Sequence, residues 1–209
     1  EEDDEKPTQI WTQGETEASS CWFPTIDSPN QKTTQEIYMK VPTKYVTLSN
    51  GILKSQTDHG DGTRTDYWHM DQKHAPYLFF MGVGDFSRVK DTWNDIEVSY
   101  YVEKEYEDVA KDIFGNTPEM MTFFSNITGV KYPWSKYSQV VVRDYVSGAM
   151  ENTTAVVHGE EAQQAKGQLI DDNKWEGTIA HELFHHWFGD LVTTESWSNL
   201  TVNESFATY

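Results

Sequence analysis

KWEGTIAHELFHHWFGD, residues 174–190, is the stretch on which the reading of this chain turns. It is free of proline and closes on Gly189-Asp190, a pattern that predicts one long helix over 174–188 stopped at the glycine. His181 and His185 stand four apart within it, so on a helix they share a face about one turn from each other. Two imidazoles placed this way can grip one ion. Zinc takes neutral imidazole nitrogens at roughly 2.0–2.1 Å, and Glu182, beside the first His, can serve as general base toward a water that the ion activates.

A catalytic zinc needs a third protein ligand and an open position for water. In the metzincin pattern a third His falls six residues after the second. Leu191 stands at that position here and Phe188 replaces the Gly of that pattern, which excludes the branch. Glu204 is separated from His185 by residues 186–203, on a last predicted helix that Ser196 or Ser198 would cap and that runs to Tyr209. Trp197, Leu200 and Ala207 share its helical face. Alone, Glu204 would be a solvated surface acid; beside the His pair it becomes a candidate carboxylate ligand.

Toward the N-terminus the periodicity changes. From about Ile10 to Val102 the chain runs in short β-branched and aromatic stretches broken by turn signals, the pattern of antiparallel sheet. Strands are expected at 36–41, 45–49, 52–55, 64–69, 78–83 and 96–103, with Asn50-Gly51 as a type I′ hairpin turn and Asp61-Gly62 as a second. A boundary is expected near residue 102. Beyond it, helix and strand mix: a helix over 106–114 closed by Gly115, a second opened by Thr117-Pro118-Glu119 and stopped near Gly129, strands over 140–146 and 152–157, then the histidine helix.

Composition bounds the function classes. The 209 residues carry 16 Lys+Arg against 34 Asp+Glu, for a net charge of −18. The excess is spread, with 9 basic against 17 acidic residues over 1–101 and 7 against 17 over 102–209. This argues against a general phosphate-backbone binder, so no nucleic-acid partner is expected. The longest apolar stretch, 77–83, is far short of the roughly 20 residues a bilayer span requires. Aromatic residues at 14% supply enough apolar area for a folded core despite the acidity. Cys21 stands alone, which rules out an internal disulfide and is compatible with any redox compartment. The acidic opening Glu1 to Glu5, with no initiator Met and no signal segment, reads as an excerpt of a longer chain.

Taken together, the residues resemble the aminopeptidase N-like zinc metallopeptidases, the gluzincin aminopeptidases, along nearly the whole chain. The resemblance is carried by GAMEN (148–152), HELFHHWFGD (181–190) and WSNLTVNESFA (197–207), in that order and spacing. TQGE (12–15), CWFPTIDSPNQK (21–32), YLFFMGVGDF (77–86) and GVKYPWSKYSQV (129–140) are similar to their counterparts in the family. It implies an α+β multidomain architecture: residues 1–101 as part of an antiparallel β-sheet N-terminal domain, and 102–209 as the first part of a thermolysin-like α/β zinc catalytic domain.

The resemblance further implies that His181, His185 and Glu204 hold one Zn2+ and that Glu182 activates its water. Glu151 would bind the free α-amine of a peptide, with Glu15 as a second carboxylate on that ammonium, and Gly148, Ala149 and Met150 would contact the substrate. The expected activity is removal of N-terminal residues from peptides with a free N-terminus. A cis bond is expected between Glu15 and Thr16. Three positions depart from the family's frequent residues: Thr153 for Trp, Ser205 for Gly and Asp190 for Asn. The family's transition-state-stabilising Tyr lies downstream of Tyr209, so the 209 residues alone are expected to be nearly inactive. Two rivals are a non-catalytic scaffold of the same fold, against which the intact ligand set argues, and a zinc endopeptidase, which has no use for two carboxylates around an ammonium.

Other features read plainly. His186 is expected to pack or hydrogen-bond instead of binding metal, and His59, His69, His74 and His158 to be surface or structural. Asn126, Asn152, Asn199 and Asn203 match the glycosylation pattern by accident, and the Met and Phe stripe of 120–127 is expected to be core.

Overall fold

The computed structural model describes residues 6–209, so the acidic opening lies outside the described residues. In chain order the strands of the first half are β1 (Gln9–Trp11), β2 (Thr33–Pro42), β3 (Val46–Ser49), β4 (Ile52–Asp58), β5 (Thr63–His74), β6 (Met81–Gly84), β7 (Phe86–Trp93) and β8 (Ile96–Glu103). The second half runs α1 (Ala110–Phe114), α2 (Thr117–Thr128), β9 (Lys136–Val142), β10 (Ala149–Met150), β11 (Ala155–Gly159), α3 (Glu176–Phe184) and α4 (Thr201–Thr208). The antiparallel β architecture with a mixed helix-and-strand half matches the expected class.

Three sheets form, with strand orders β1-β6-β3, β2-β5-β4 and β10-β11-β9-β8-β7. The last crosses residue 102: β8 pairs antiparallel with β7 and parallel with β9. Its inner strands β8, β9 and β11 are buried on both faces over most of their length, and alternation sends their side chains to one of two cores. Val98, Tyr100, Tyr137, Val141 and Val156 join Ile113, Phe114, Ile179 and Leu183 on the helical side. Tyr101, Val140, Val142, Ala155 and Val157 join Leu48, Trp68, Leu78 and Phe80 on the other.

Several expectations are corrected. Asn50-Gly51 is no hairpin turn, because β3 pairs with β6 and β4 with β5, so the chain changes sheets there. Only Gly51 has a positive φ, +72°, and the buried Asn50 side chain instead bonds Leu78 O at 2.8 Å, Thr153 O at 2.7 Å and the Phe80 N–H at 2.7 Å. The β4–β5 hairpin exists, with Gly60 and Gly62 as its left-handed residues. The apolar run at 78–83 divides into a 3₁₀ turn, Pro76–Leu78, opened by its proline, and β6. The helix expected over 106–114 splits into a 3₁₀ turn, Lys104–Val109, followed by α1. The strand placed at 140–146 runs instead from Lys136 to Val142, its early start unread because that residue, Ser138 and Gln139 are polar yet buried. The strand expected over 152–157 starts only at Ala155, as β11, because Thr154 turns the chain at φ +67°, and the short β10 lies before that turn. β1 and β7 were unexpected. Of the Met and Phe stripe, Met121 is core, whereas Phe123 and Ile127 are exposed.

His74 and His158 are fully buried, and burial pushes each imidazole down to about 3. His158 is held neutral from both sides: Trp175 Nε1 donates to its Nδ1 at 3.1 Å, and its Nε2 faces Gln139 Oε1 at 2.9 Å. On unfolding both regain the ordinary value of 6.5 and take up protons that the native state refuses. Stability contributed this way is intact above that pH and falls as pH drops from 6.5 toward 3, by up to about 1.4 kcal/mol per pH unit for each residue. Thermal unfolding of the protein between pH 7.5 and 5 should show this early decline, and His74→Leu should remove its share; a flat profile down to pH 5 would contradict it.

Candidate functional site

The α3 helix buries Ile179 and Leu183 in the helical core, and the turn beyond it buries Trp187 in the same place. That four-residue apolar spacing leaves His181 and His185 on the adjacent stripe, facing a cavity between the two halves of the chain. Helical bonding tightens past Phe184, where the N–H groups of His186 and Trp187 bond three residues back, so α3 ends earlier than the expected residue 188. The chain then doubles under His185: Asp190 N–H donates to His185 O at 3.0 Å. Gly189 adopts φ +134° there, and a β-carbon on it would come within 3.0 Å of His185 Nδ1. The closing glycine was legible in the sequence; its contact with the histidine ring was not.

His181 Nε2 and His185 Nε2 lie 3.0 Å apart. Glu204 Oε2, from α4, is 3.5 Å from the first and 3.7 Å from the second. Ligands about 2.0–2.1 Å from a tetrahedral ion are separated by about 3.3 Å, so this triangle has the size that zinc requires. His185 Nδ1 lies 3.0 Å from the carbonyl of Phe188. A carbonyl only accepts, so Nδ1 carries the proton and Nε2 keeps its lone pair toward the cavity. Burial pushes His185 down to about 4, which also favours the neutral ligand form. Glu204 is held below its ordinary value by its hydrogen bond with His181.

Around the triangle stand three more carboxylates. Glu182, Glu151 and Glu15 line the same cavity, of about 620 Å³, with both histidines and Glu204. Glu182 is 5% exposed, and burial, followed by the charges of Glu151, Glu204 and Glu15, raises its carboxyl well above the ordinary value. Glu151 is 3% exposed, its Oε1 accepts no hydrogen bond and lies 3.9 Å from His185 Nδ1, and burial raises it to about 7. Glu15 is raised to about 8 by burial, then by Glu151 and Glu204. One oxygen from each of Glu15, Glu151 and Glu204 falls within 4.8 Å of the others. Carboxylates crowded this way, with little water, favour a cation among them.

Gly148 and Ala149 line the cavity as well. Met150 does not: alternation along β10 turns it into the core, 1% exposed, where its sulfur accepts from Gln13 Nε2 at 3.2 Å. Gln13 itself lines the cavity and accepts at Oε1 from the Tyr145 hydroxyl, 2.5 Å away. The Glu15–Thr16 bond is cis, as expected. Asn203, next to Glu204, is buried and donates to the Tyr77 hydroxyl at 3.0 Å while accepting from Thr194 N–H at 3.0 Å, so packing across the halves places α4. Asn152 and Asn203 are both fully buried, which removes them as glycan acceptors. His186 is buried and accepts from the Thr154 N–H at Nε2, 3.0 Å away. The parts played by Gln13, Tyr145 and Tyr77 went unread, because each depends on contacts more than a hundred residues away and no local pattern announces them. Among the described residues, no helix is long and apolar enough to cross a membrane.

With this geometry in view, likeness to known proteins becomes informative. The sequence model for the peptidase M1 N-terminal domain matches residues 1–78, and that for the peptidase family M1 domain matches residues 113–209. Aminopeptidase M1 of Arabidopsis thaliana is 32% identical over an alignment of 213 positions that covers 100% of this chain and 24% of that protein. Tricorn protease-interacting factor F2 of Thermoplasma volcanium is also 32% identical, over 97% of this chain and 26% of its own length. Human endoplasmic reticulum aminopeptidase 1 is 30% identical, over 95% and 22% respectively. The chain thus spans about a quarter of the length of these curated relatives. Both domain models fall on it in order, and the relatives align with nearly all of it: the chain belongs to the peptidase M1 family.

Proposed function

We propose that the protein containing this chain is a zinc-dependent aminopeptidase that removes residues from peptides with a free N-terminus. One observation carries the reading: a His-His-Glu triangle of zinc dimensions shares a cavity with Glu15 and with the buried Glu151 carboxylate, whose Oε1 accepts no hydrogen bond. His181, His185 and Glu204 would hold the ion, one per site. Zinc bound there supplies Lewis acidity, making a water a stronger nucleophile near neutral pH and polarising the scissile carbonyl.

The remaining steps belong to the chain. Glu151 and Glu15 clamp the substrate ammonium, which fixes the first residue and leaves no place for further peptide upstream. Gly148 and Ala149 offer backbone groups to the bound peptide, and Met150 acts through Gln13, the cavity residue it braces. Glu182 accepts a proton from the attacking water as the water oxygen bonds the scissile carbonyl carbon. It returns that proton to the leaving nitrogen as the C–N bond breaks, so one water is consumed per bond. In this division of labour residues 1–101 bring Glu15 to the amine and residues 102–209 bring the ion, the base and Glu151.

The test is cleavage of an amino acid anilide with a free amine against its N-acetyl counterpart by the full-length protein. Free substrate should be strongly preferred, and Glu151→Gln should raise its KM by about 10- to 100-fold, the worth of a charge-assisted hydrogen bond. Equal cleavage of both substrates would point to an endopeptidase. No cleavage of either by zinc-loaded protein would point to a scaffold.

A further inference from the structure

Lys136 is buried at the start of β9, and every acceptor it bonds is an uncharged oxygen: Ser49 O at 2.9 Å, Thr154 O at 2.7 Å and Thr154 Oγ1 at 3.2 Å. Its ammonium also lies 5.4 Å from the centre of the Trp68 ring. An ammonium withdrawn from water onto carbonyls is costly, so its placement calls for a reason. All three oxygens belong to two backbone corners. Ser49 ends β3, where the chain changes sheets, and Thr154 ends the connection 151–154 between β10 and β11, a turn closed by Ala155 N–H to Asn152 O that Glu151 leads into.

Thr154 is itself constrained. It is a β-branched residue at φ +67°, fully buried, with every polar group engaged. Its carbonyl accepts from Lys136 and from the Ser138 N–H at 3.1 Å, and its hydroxyl accepts from Lys136 and from the Gly51 N–H at 2.8 Å. Its own N–H donates to His186 Nε2 at 3.0 Å. The other ring nitrogen of His186 lies 3.2 Å from the carbonyl of Glu182, and Trp134 Nε1 donates to the His186 carbonyl at 2.9 Å. An unbroken set of hydrogen bonds therefore runs from the corner at Ser49–Gly51, through Lys136 and the turn 151–154, to the residue that follows His185.

The geometry points to Lys136 and His186 as positioning residues that lock the turn carrying Glu151 onto the helix carrying His181 and His185. This rests on the aminopeptidase reading: the lock sets the span from the amine-holding carboxylate to the ion, and hence the single residue that fits between amine and scissile carbonyl. Neither residue lines the cavity, so both act through the parts they hold.

Lys136→Met keeps the stem and removes the donor; His186→Leu removes the acceptor for Thr154 N–H; His186→Gln supplies another in its carboxamide oxygen. In the full-length protein, Lys136→Met and His186→Leu should each raise the KM for a free-amine anilide by about 10- to 100-fold and cut the preference over the N-acetyl substrate, with zinc content unchanged. His186→Gln should restore both. Loss of folded protein alone would lower the apparent kcat of both substrates together, leaving KM and the preference fixed; that result overturns the proposal. Should Lys136→Met fail to fold, the His186 pair decides. Hydrogen exchange at the Thr154 amide, faster in His186→Leu and restored in His186→Gln, tests the lock without reference to activity, and unchanged exchange would refute it. Absence of free-amine preference in the unaltered protein would instead refute the aminopeptidase reading.

Discussion

Glu182→Gln should lower kcat by about 10²–10⁴, the usual contribution of a positioned general base, while leaving zinc content and the KM of the free-amine substrate near those of the unaltered protein. The carboxamide has the shape of the carboxylate and cannot take the proton. Glu182 suits this test because it adjoins the ligand triangle without belonging to it, and its Oε2 has no protein partner to be broken by the change. Its burial, which raises the carboxyl, makes it a stronger base toward water than an exposed glutamate. Steady-state kinetics paired with metal analysis on the same sample check it. Turnover above a tenth of the original would remove Glu182 from the role of base.

Glu204→Ala should weaken zinc binding by about 10² or more, since each of three ligands carries a comparable part of an affinity on the order of 10–16 kcal/mol. Glu204 is the informative candidate ligand to remove. Its side chain is 39% exposed, whereas that of His185 is 1% exposed and also serves the carbonyl of Phe188, so losing His185 would disturb packing as well. Competition with a chromogenic chelator measures the affinity directly. A second readout is thermal: zinc should raise the melting temperature of the unaltered protein and raise that of Glu204→Ala less at the same free concentration. An unchanged affinity would mean that the third ligand lies elsewhere.

What could be read from the sequence differs by element in a way that follows from range. The His-x-x-x-His spacing on a helix, the helix opened by Thr117-Pro118 and the left-handed stop at Gly129 depend on neighbours within one or two turns, and the structure reproduces them. β8 was bounded at Ile96 and Glu103 because its run and its flanks agree. Errors cluster where a residue's partner is distant. Asn50-Gly51 has the composition of a hairpin turn, yet the carbonyls of Leu78 and Thr153 claim the Asn50 amide and the chain leaves the sheet. Lys136, Ser138 and Gln139 look like loop residues and are buried in a strand, because acceptors and donors from other segments satisfy them.

The sequence by itself determined the candidate metal-binding helix, a strand-rich first half followed by mixed helix and strand, and the motifs that mark the family, since these are written in spacing and local backbone preference. Only the tertiary structure brought Glu15 to within 4.8 Å of Glu151 and Glu204, directed Met150 away from the cavity and joined Lys136 to His186 through one left-handed threonine. Linear order specifies angles along the chain, whereas the approach of carboxylates more than a hundred residues apart is decided by which faces of sheet and helix exclude water from one another.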